Sequence, residues 1–329
     1  MSLYSVYNGA VRTYRFIFLL VALVALSACD SGESPARTWK YAAQGILGAD
    51  LSPDGKNALI GSIHHGGSFW DVAKGERLFN WNHKKGDYST IRAVAISGDG
   101  KTAITAEGNT LVVWNTRTGK PLAFWQTPDQ VVLVRLSENG RFALMGLMNN
   151  TATYFDLALG GGVLTLDHDD RIRALGLTPD GKYAITGSGD FTAILWDLRS
   201  GKPVHRFIHD NQIGSVAISP DGKYAFSAAQ RENAVIWNAR TGKPRAELAY
   251  RNTNFTSARF SEKGNRLLLG TFQGKVYLID VKSSKELKSW HATPRKIWGG
   301  ASSKAILSVG FSGKGFYAIS SDGMVARLQ

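Results

Sequence analysis

The chain has 329 residues, of which 43% are hydrophobic and 20% charged, a balance that excludes intrinsic disorder. Pro is scarce at 9 against 36 Gly, which rules out collagen and Pro-rich linkers, and a single Cys rules out a disulfide framework, a Cys-ligated zinc and a CxxC redox site. The formal charge of +13 would suggest nucleic acid only in a chain that shares its compartment.

The N-terminus addresses the compartment. Arg12 and Arg15 flank the start of an apolar run from Phe16 to Ala28, with no acid before Asp30. Thirteen residues are too few to cross ~30 Å of hydrocarbon, so the run reads as the h-region of a signal peptide. It ends in Leu26-Ser27-Ala28-Cys29, which resembles the bacterial lipobox, and the only Cys of the chain stands where that motif needs it. The resemblance implies cleavage before Cys29 and diacylation of its thiol. The expected division is a lipoprotein signal peptide (1–28), a lipid-anchored tether (29–37) and a folded domain (38–329). Cleavage removes Arg12 and Arg15 and no acid, lowering the charge from +13 to +11. An exported chain meets no chromosome, so nucleic acid is not an expected partner. Asp30, after the Cys, resembles an inner-membrane retention signal in some lineages, which leaves the choice of membrane open.

Beyond Ala42 one phrase recurs. Leu51-Ser52-Pro53-Asp54-Gly55-Lys56 returns around Gly100, Gly140, Gly181, Gly222 and Gly264, with a degenerate seventh copy at Gly315. The intervals are 45, 40, 41, 41, 42 and 51 residues. Each copy lies between two short apolar runs, and Asp-Gly in that setting marks a hairpin. A third strand ends in an aromatic and a polar residue, as at Trp70-Asp71, Trp114-Asn115, Phe155-Asp156, Trp196-Asp197 and Trp237-Asn238; the sixth copy weakens this to Ile279-Asp280. A second turn and a fourth strand follow. Four short antiparallel strands per unit of roughly 40 residues predict a propeller blade. The seventh unit lacks its outer strand, and Thr38–Ala42 has the strand character to supply it.

With these residues the sequence resembles the WD-repeat family over about Thr38–Gln329. The resemblance implies an all-β, seven-bladed propeller of four-stranded antiparallel blades, closed by the N-terminal strand pairing with the C-terminal strands. Blade four matches most closely: His168, Ser188, Trp196 and Asp190 occupy the family's structural hydrogen-bonding tetrad. Arg231, Asn149 and Gln273 stand at the Asp position of blades five, three and six, departures that weaken polar ties there.

No catalytic site is expected. His83, His168, His209 and His291 recur at one repeat phase, which argues for structure rather than chemistry. The acids Asp167, Asp169 and Asp170 read as a solvated loop. No Gly-x-Ser-x-Gly elbow and no phosphate-binding loop is present. The expected function is therefore a non-enzymatic, membrane-anchored interaction platform on the periplasmic or extracytoplasmic side. It is expected to be monomeric, without cofactor or metal, with unidentified protein partners. The alternatives are an outer-membrane assembly factor, by fold-level analogy with other propeller lipoproteins, and a periplasmic propeller oxidoreductase. Two long blade-to-blade connections form a candidate partner surface: Lys84, Lys85 and Tyr88 in one, and Arg295, Lys296 and Trp298 in the other. The opposite end carries basic third-to-fourth turns, including Lys120, Lys202 and Lys243. A nine-residue tether reaching at most ~30 Å would hold that end toward lipid.

Overall fold

The computed structural model describes residues 32–42, 45–84, 86, 88–292, 296–297, 300–301, 305–313 and 315–329. Among them every regular element is a strand. Seven four-stranded antiparallel sheets follow one another along the chain. Six are formed from consecutive strands, spanning 46–81, 93–126, 131–167, 172–208, 213–248 and 255–291. These are blades one to six, each running from an innermost strand to an outer one. The seventh combines Ile306–Ser312, Gly315–Ser320 and Met324–Leu328 with Arg37–Lys40.

The ring closure follows the sequence reading. Arg37–Lys40 runs antiparallel to the last strand, with Arg37 opposite Arg327 and Lys40 opposite Met324. Without it, Met324–Leu328 would offer unpaired backbone groups along a free edge. The strand begins one residue earlier than expected and stops at Lys40.

A residue pattern repeats in the first turns of blades one to five, with Asn139 for the acid in blade three, whereas Ser261 of blade six donates to Asn265. The Ser of the recurring phrase donates its hydroxyl to the acid two residues on, as Ser52 does to Asp54 (2.7 Å) and Ser219 to Asp221 (2.7 Å). The same carboxylate accepts the backbone N–H of the following Lys. The Ser oxygen in turn accepts the N–H that opens the second strand. The hairpin is thus tied by side chains as well as by backbone. At Asp180, burial works against ionisation. The hydrogen bonds from Lys182 and Thr178 outweigh it and hold the carboxyl below its ordinary range. The seventh copy departs from this pattern. Gly315 opens a strand opposite Ser312 with φ of 142°, instead of closing the turn at the 67–70° of the aligned glycines.

The polar residue after each aromatic ties the second turn in the same way. Asp197 accepts the N–H groups of Arg199 and Ser200, and Asn115 those of Arg117 and Thr118. A register shift precedes the aromatic in the third strand of five blades, at Leu195/Trp196 for instance, and precedes Ile279 at the same position of blade six. Such bulges increase twist and re-aim the side chain that follows.

Burial is organised between blades rather than within one centre. The buried apolar residues fall into seven clusters, and each joins two adjacent blades. Trp81 shows the arrangement. It stacks on Trp114 of the next blade at 5.0 Å and donates its indole N–H to the carbonyl of Gly119 (3.0 Å). Trp290 likewise donates to the carbonyl of Gln329 (3.0 Å). The outer-strand tryptophans Trp81 and Trp290 therefore pack between blades.

Each outer strand also presses on the second turn of its neighbour. The ring of Trp125 lies over Gly160, where φ is 71° and an added Cβ would enter the indole. Only Gly satisfies both the backbone angle and the contact. Gly160→Ala is expected to lower stability by about 1–3 kcal/mol, from strain and overpacking together. Gly161→Ala, with open space around its Cβ position, should change stability by less than about 1 kcal/mol. Urea unfolding of the two variants checks this, and equal losses would contradict the packing account.

Candidate functional site

The predicted tetrad of blade four assembles, with one substitution. Trp196 Nε1 donates to Thr186 Oγ1 (2.8 Å), which lies 2.6 Å from His168 Nε2; His168 Nδ1 lies 2.7 Å from Asp190. An indole can only donate, so the hydroxyl of Thr186 is free to donate to Nε2. The His168 proton then sits on Nδ1 and points at the carboxylate. The hydroxyl in the relay is therefore Thr186, not Ser188. Strand alternation explains the correction: residues 186 and 188 share a face, but 186 lies beside Trp196. Ser188 instead donates to the carbonyl of Asp170 (2.7 Å) and accepts the N–H of Asp190 (3.1 Å). At Asp190 the burial cost is outweighed by hydrogen bonds from Thr192 and His168, which hold its carboxyl low.

The same relay stands in two other blades. In blade five Trp237 donates to Ser227 (2.7 Å), Ser227 meets His209 Nε2 (2.8 Å), and His209 Nδ1 meets Glu232 (3.1 Å). Arg231 displaced the acid by one position in sequence, and the longer Glu side chain restores the contact. Blade two places Trp114, Thr105 and His83 in the same way, with Glu107 at 3.8 Å. Burial pushes the His83 pKa down, against the pull of Glu107. A Ser or Thr nine or ten residues before the Trp was the sequence signal for these hydroxyls. The His repeat phase is thus structural. Among the described residues no group of three His, Cys, Asp or Glu is placed to hold a metal ion.

The strands alternate in direction, so one end of the ring carries the first-to-second and third-to-fourth turns, and the other carries the second-to-third turns and the connections between blades. Lys120, Lys202 and Lys243 are exposed on second turns at the turn end. Lys84 and Tyr88 are exposed on the connection leading to blade two, at the connection end. Lys85, Arg295 and Trp298 lie outside the described residues, as do Cys29 and the whole of segment 1–28. Lys296 is described only as part of a short strand, Lys296–Ile297, paired with Gly300–Ala301. Of the expected tether (29–37), residues 32–37 are described. Glu33 donates its N–H to Ser289 and accepts that of His291, and its carboxylate meets Lys288 at 2.8 Å. The stretch before Arg37 is therefore laid along the outer strand of blade six, because those backbone groups were open to pairing.

The central channel holds charges that composition alone did not single out. Asp50, on the innermost strand of blade one, is buried. It accepts the N–H groups of Leu51 and of Ile96 in blade two. Across the channel Arg259 of blade six donates to Asp50 (2.6 Å) and to the carbonyl of Leu51 (2.7 Å). Arg135 of blade three joins them. Burial pushes its pKa down, Asp50 opposes the shift and Arg259 adds to it. At the connection end the channel opens into a cavity of about 300 Å³ lined by Arg92, Arg171, Arg173, Met148 and Gly214. A narrower space of about 150 Å³ continues inward past Arg135.

Repeat phase would have revealed these residues. Asp50, Arg135 and Arg259 each stand five residues before the turn glycine, where Ala95, Gly176 and Ala217 stand in other blades. Arg92 and Arg173 each stand eight before it. Innermost strands face the channel, so a charge at that phase points into it.

Thr186→Val removes the central hydroxyl of the blade-four relay and leaves two buried ring N–H or lone-pair groups without partners. It is expected to cost about 2–4 kcal/mol, against about 1 kcal/mol for Ser188→Ala. Thermal unfolding of both variants measures the difference, and the reverse order would return Ser188 to the relay.

Comparison with known sequences agrees with the geometry. Residues 162–197 and 201–238 match the family model described as WD domain, G-beta repeat. They cover the outer strand of blade three through the third strand of blade five, where two of the three His relays lie. No curated protein matches the chain. The molecule is a seven-bladed β-propeller whose central blades carry WD-repeat sequence.

Proposed function

We propose that the protein is a non-enzymatic interaction platform, held by a lipid on the periplasmic or extracytoplasmic face of a cell membrane. The observation that carries the platform reading is the connection end. That end exposes Ile63, Tyr88, Met148, Phe191 and Phe272, between 39% and 74% accessible. Large apolar side chains grouped on one end of a monomer mark a surface that meets another molecule. The His residues that would be the first catalytic suspects are occupied by the blade relays.

The lipid anchor rests on Leu26-Ser27-Ala28-Cys29 behind an apolar run with Arg on its N-terminal side. Two acyl chains on Cys29 would give stable attachment, where a single chain gives marginal binding. Cys29→Ser is expected to abolish incorporation of a clickable fatty acid and to leave the protein unprocessed or release it from membranes. Cys29-independent labelling would refute the anchor.

The basic turns support an orientation. Lys120, Lys202 and Lys243 are exposed at the turn end, and each cation near anionic headgroups contributes about 1 kcal/mol within a Debye length of ~8 Å. With that end toward the lipid, the apolar connection end faces away and is open to partners. The Cys29→Ser chain is expected to bind anionic vesicles weakly at low salt. Changing Lys120, Lys202 and Lys243 to Glu should remove that binding, and indifference to vesicle charge would exclude the orientation.

A further inference from the structure

We infer that the channel mouth at the connection end is a binding site for an acidic segment of a partner polypeptide, with Arg92, Arg171 and Arg173 receiving its carboxylates. The assignment deepens the platform reading and rests on it for its biological meaning.

Three observations converge. The first is charge. The mouth is lined by three Arg and no acid, and among the described residues none of the three takes part in an ion pair. The nearest acid in sequence, Asp170, is turned to its own backbone and accepts the N–H of Arg171 (2.7 Å). Deeper in the channel, Arg135 and Arg259 face the single carboxylate of Asp50. Five cations around one anion in a narrow channel repel one another, and low-dielectric walls focus the resulting field on the opening. A carboxylate entering the mouth relieves that repulsion.

The second observation is shape. About 300 Å³ at the mouth admits one or two carboxylate side chains, and the passage narrows to about 150 Å³ farther in. Arg92 of blade two and the pair Arg171 and Arg173 of blade four line the same cavity from two blades. Their planar forks suit bidentate pairing with carboxylate oxygens.

The third is the rim. Met148 lines the mouth, and Ile63, Phe191 and Phe272 stand exposed at the same end of the ring, all four on turns between second and third strands. A polypeptide can place an acidic side chain in the funnel and apolar neighbours on these residues at once. Arg and aromatic groups are the residue types that dominate such interfaces. The concave placement of the Arg, set below an apolar rim, favours a protruding peptide over a flat lipid surface.

The test uses the full chain in neutral detergent micelles and a rhodamine-labelled hexaglutamate peptide, read by fluorescence anisotropy. Saturable binding is expected, weakening as salt is raised, with none to labelled hexalysine. Changing Arg92, Arg171 and Arg173 together to Gln should weaken binding at least about tenfold, while the Lys120, Lys202 and Lys243 to Glu variant should bind within about threefold of the parent. If the triple Arg variant fails to fold, Arg173→Gln alone, at an exposed position, serves with an expected loss of about threefold or more. Unchanged binding in a folded Arg variant overturns the assignment. So does Arg-dependent binding of phosphatidylglycerol-doped micelles without peptide binding, which would make the mouth a lipid site. Crosslinking in cells separates the two levels. Partners captured equally by parent and Arg variant overturn the mouth assignment alone, whereas no partner for the parent overturns the platform itself.

Discussion

The structure depends on each blade being covered on both faces by its neighbours. A four-stranded sheet with two apolar faces cannot be stable alone in water. Seven such sheets satisfy one another only as a closed ring, and the seven interblade clusters show that all the interfaces are filled. The cluster joining blades seven and one contains Tyr41, Leu51, Ile319 and Val325, so it is built from both termini of the domain. Closure by Arg37–Lys40 is thus a tertiary event between residues nearly 290 apart in the chain.

Within that frame, polar side chains hold the strands in register. A Ser or Thr bonded to Asp or Asn ties the first hairpin of blades one to six. The Asp or Asn after the aromatic ties the second. The His relays in blades two, four and five join the outer connection of one blade to the hydroxyl and indole of the next sheet. Burial favours such pairing, although in blade two His83 Nδ1 stays 3.8 Å from Glu107, beyond hydrogen-bond reach. Where the acid moves by one position, as at Glu232, the hydrogen bond is kept by a longer side chain rather than by the motif. That is why departures from the repeat pattern leave the blade geometry intact.

The same architecture gives the two ends different characters. Hairpin turns favour Gly, Asp and Lys, so the turn end is basic and hydrophilic. The opposite end, with the second-to-third turns and the blade connections, carries exposed apolar side chains: Ile63, Met148, Phe191 and Phe272 on turns and Tyr88 on a connection. The channel between them is lined by the innermost strands, where small residues predominate and the few charged ones therefore stand out. Asp50 and Arg259 link blades one and six across it, with Ile96 of blade two as a third attachment.

Blade number, strand order and turn positions were legible from the spacing of Asp-Gly phrases and aromatic–polar pairs, because these features are local and repeat with the backbone. The missing outer strand of the last blade, and the N-terminal segment that fills it, could be read in the same way. So could the structural role of the recurring His. The hydroxyl of Thr186 in place of Ser188 was not legible, since it depends on which side chain the twist of the sheet turns toward Trp196. Nor was the docking of Glu33 on blade six, which needs two strands distant in sequence to lie side by side. The arginines of the channel were visible as residues of blades two, three, four and six. Only the ring brings Arg92 of blade two to the opening that the neighbouring Arg171 and Arg173 of blade four share, because that approach is set by the diameter of the propeller and not by spacing along the chain.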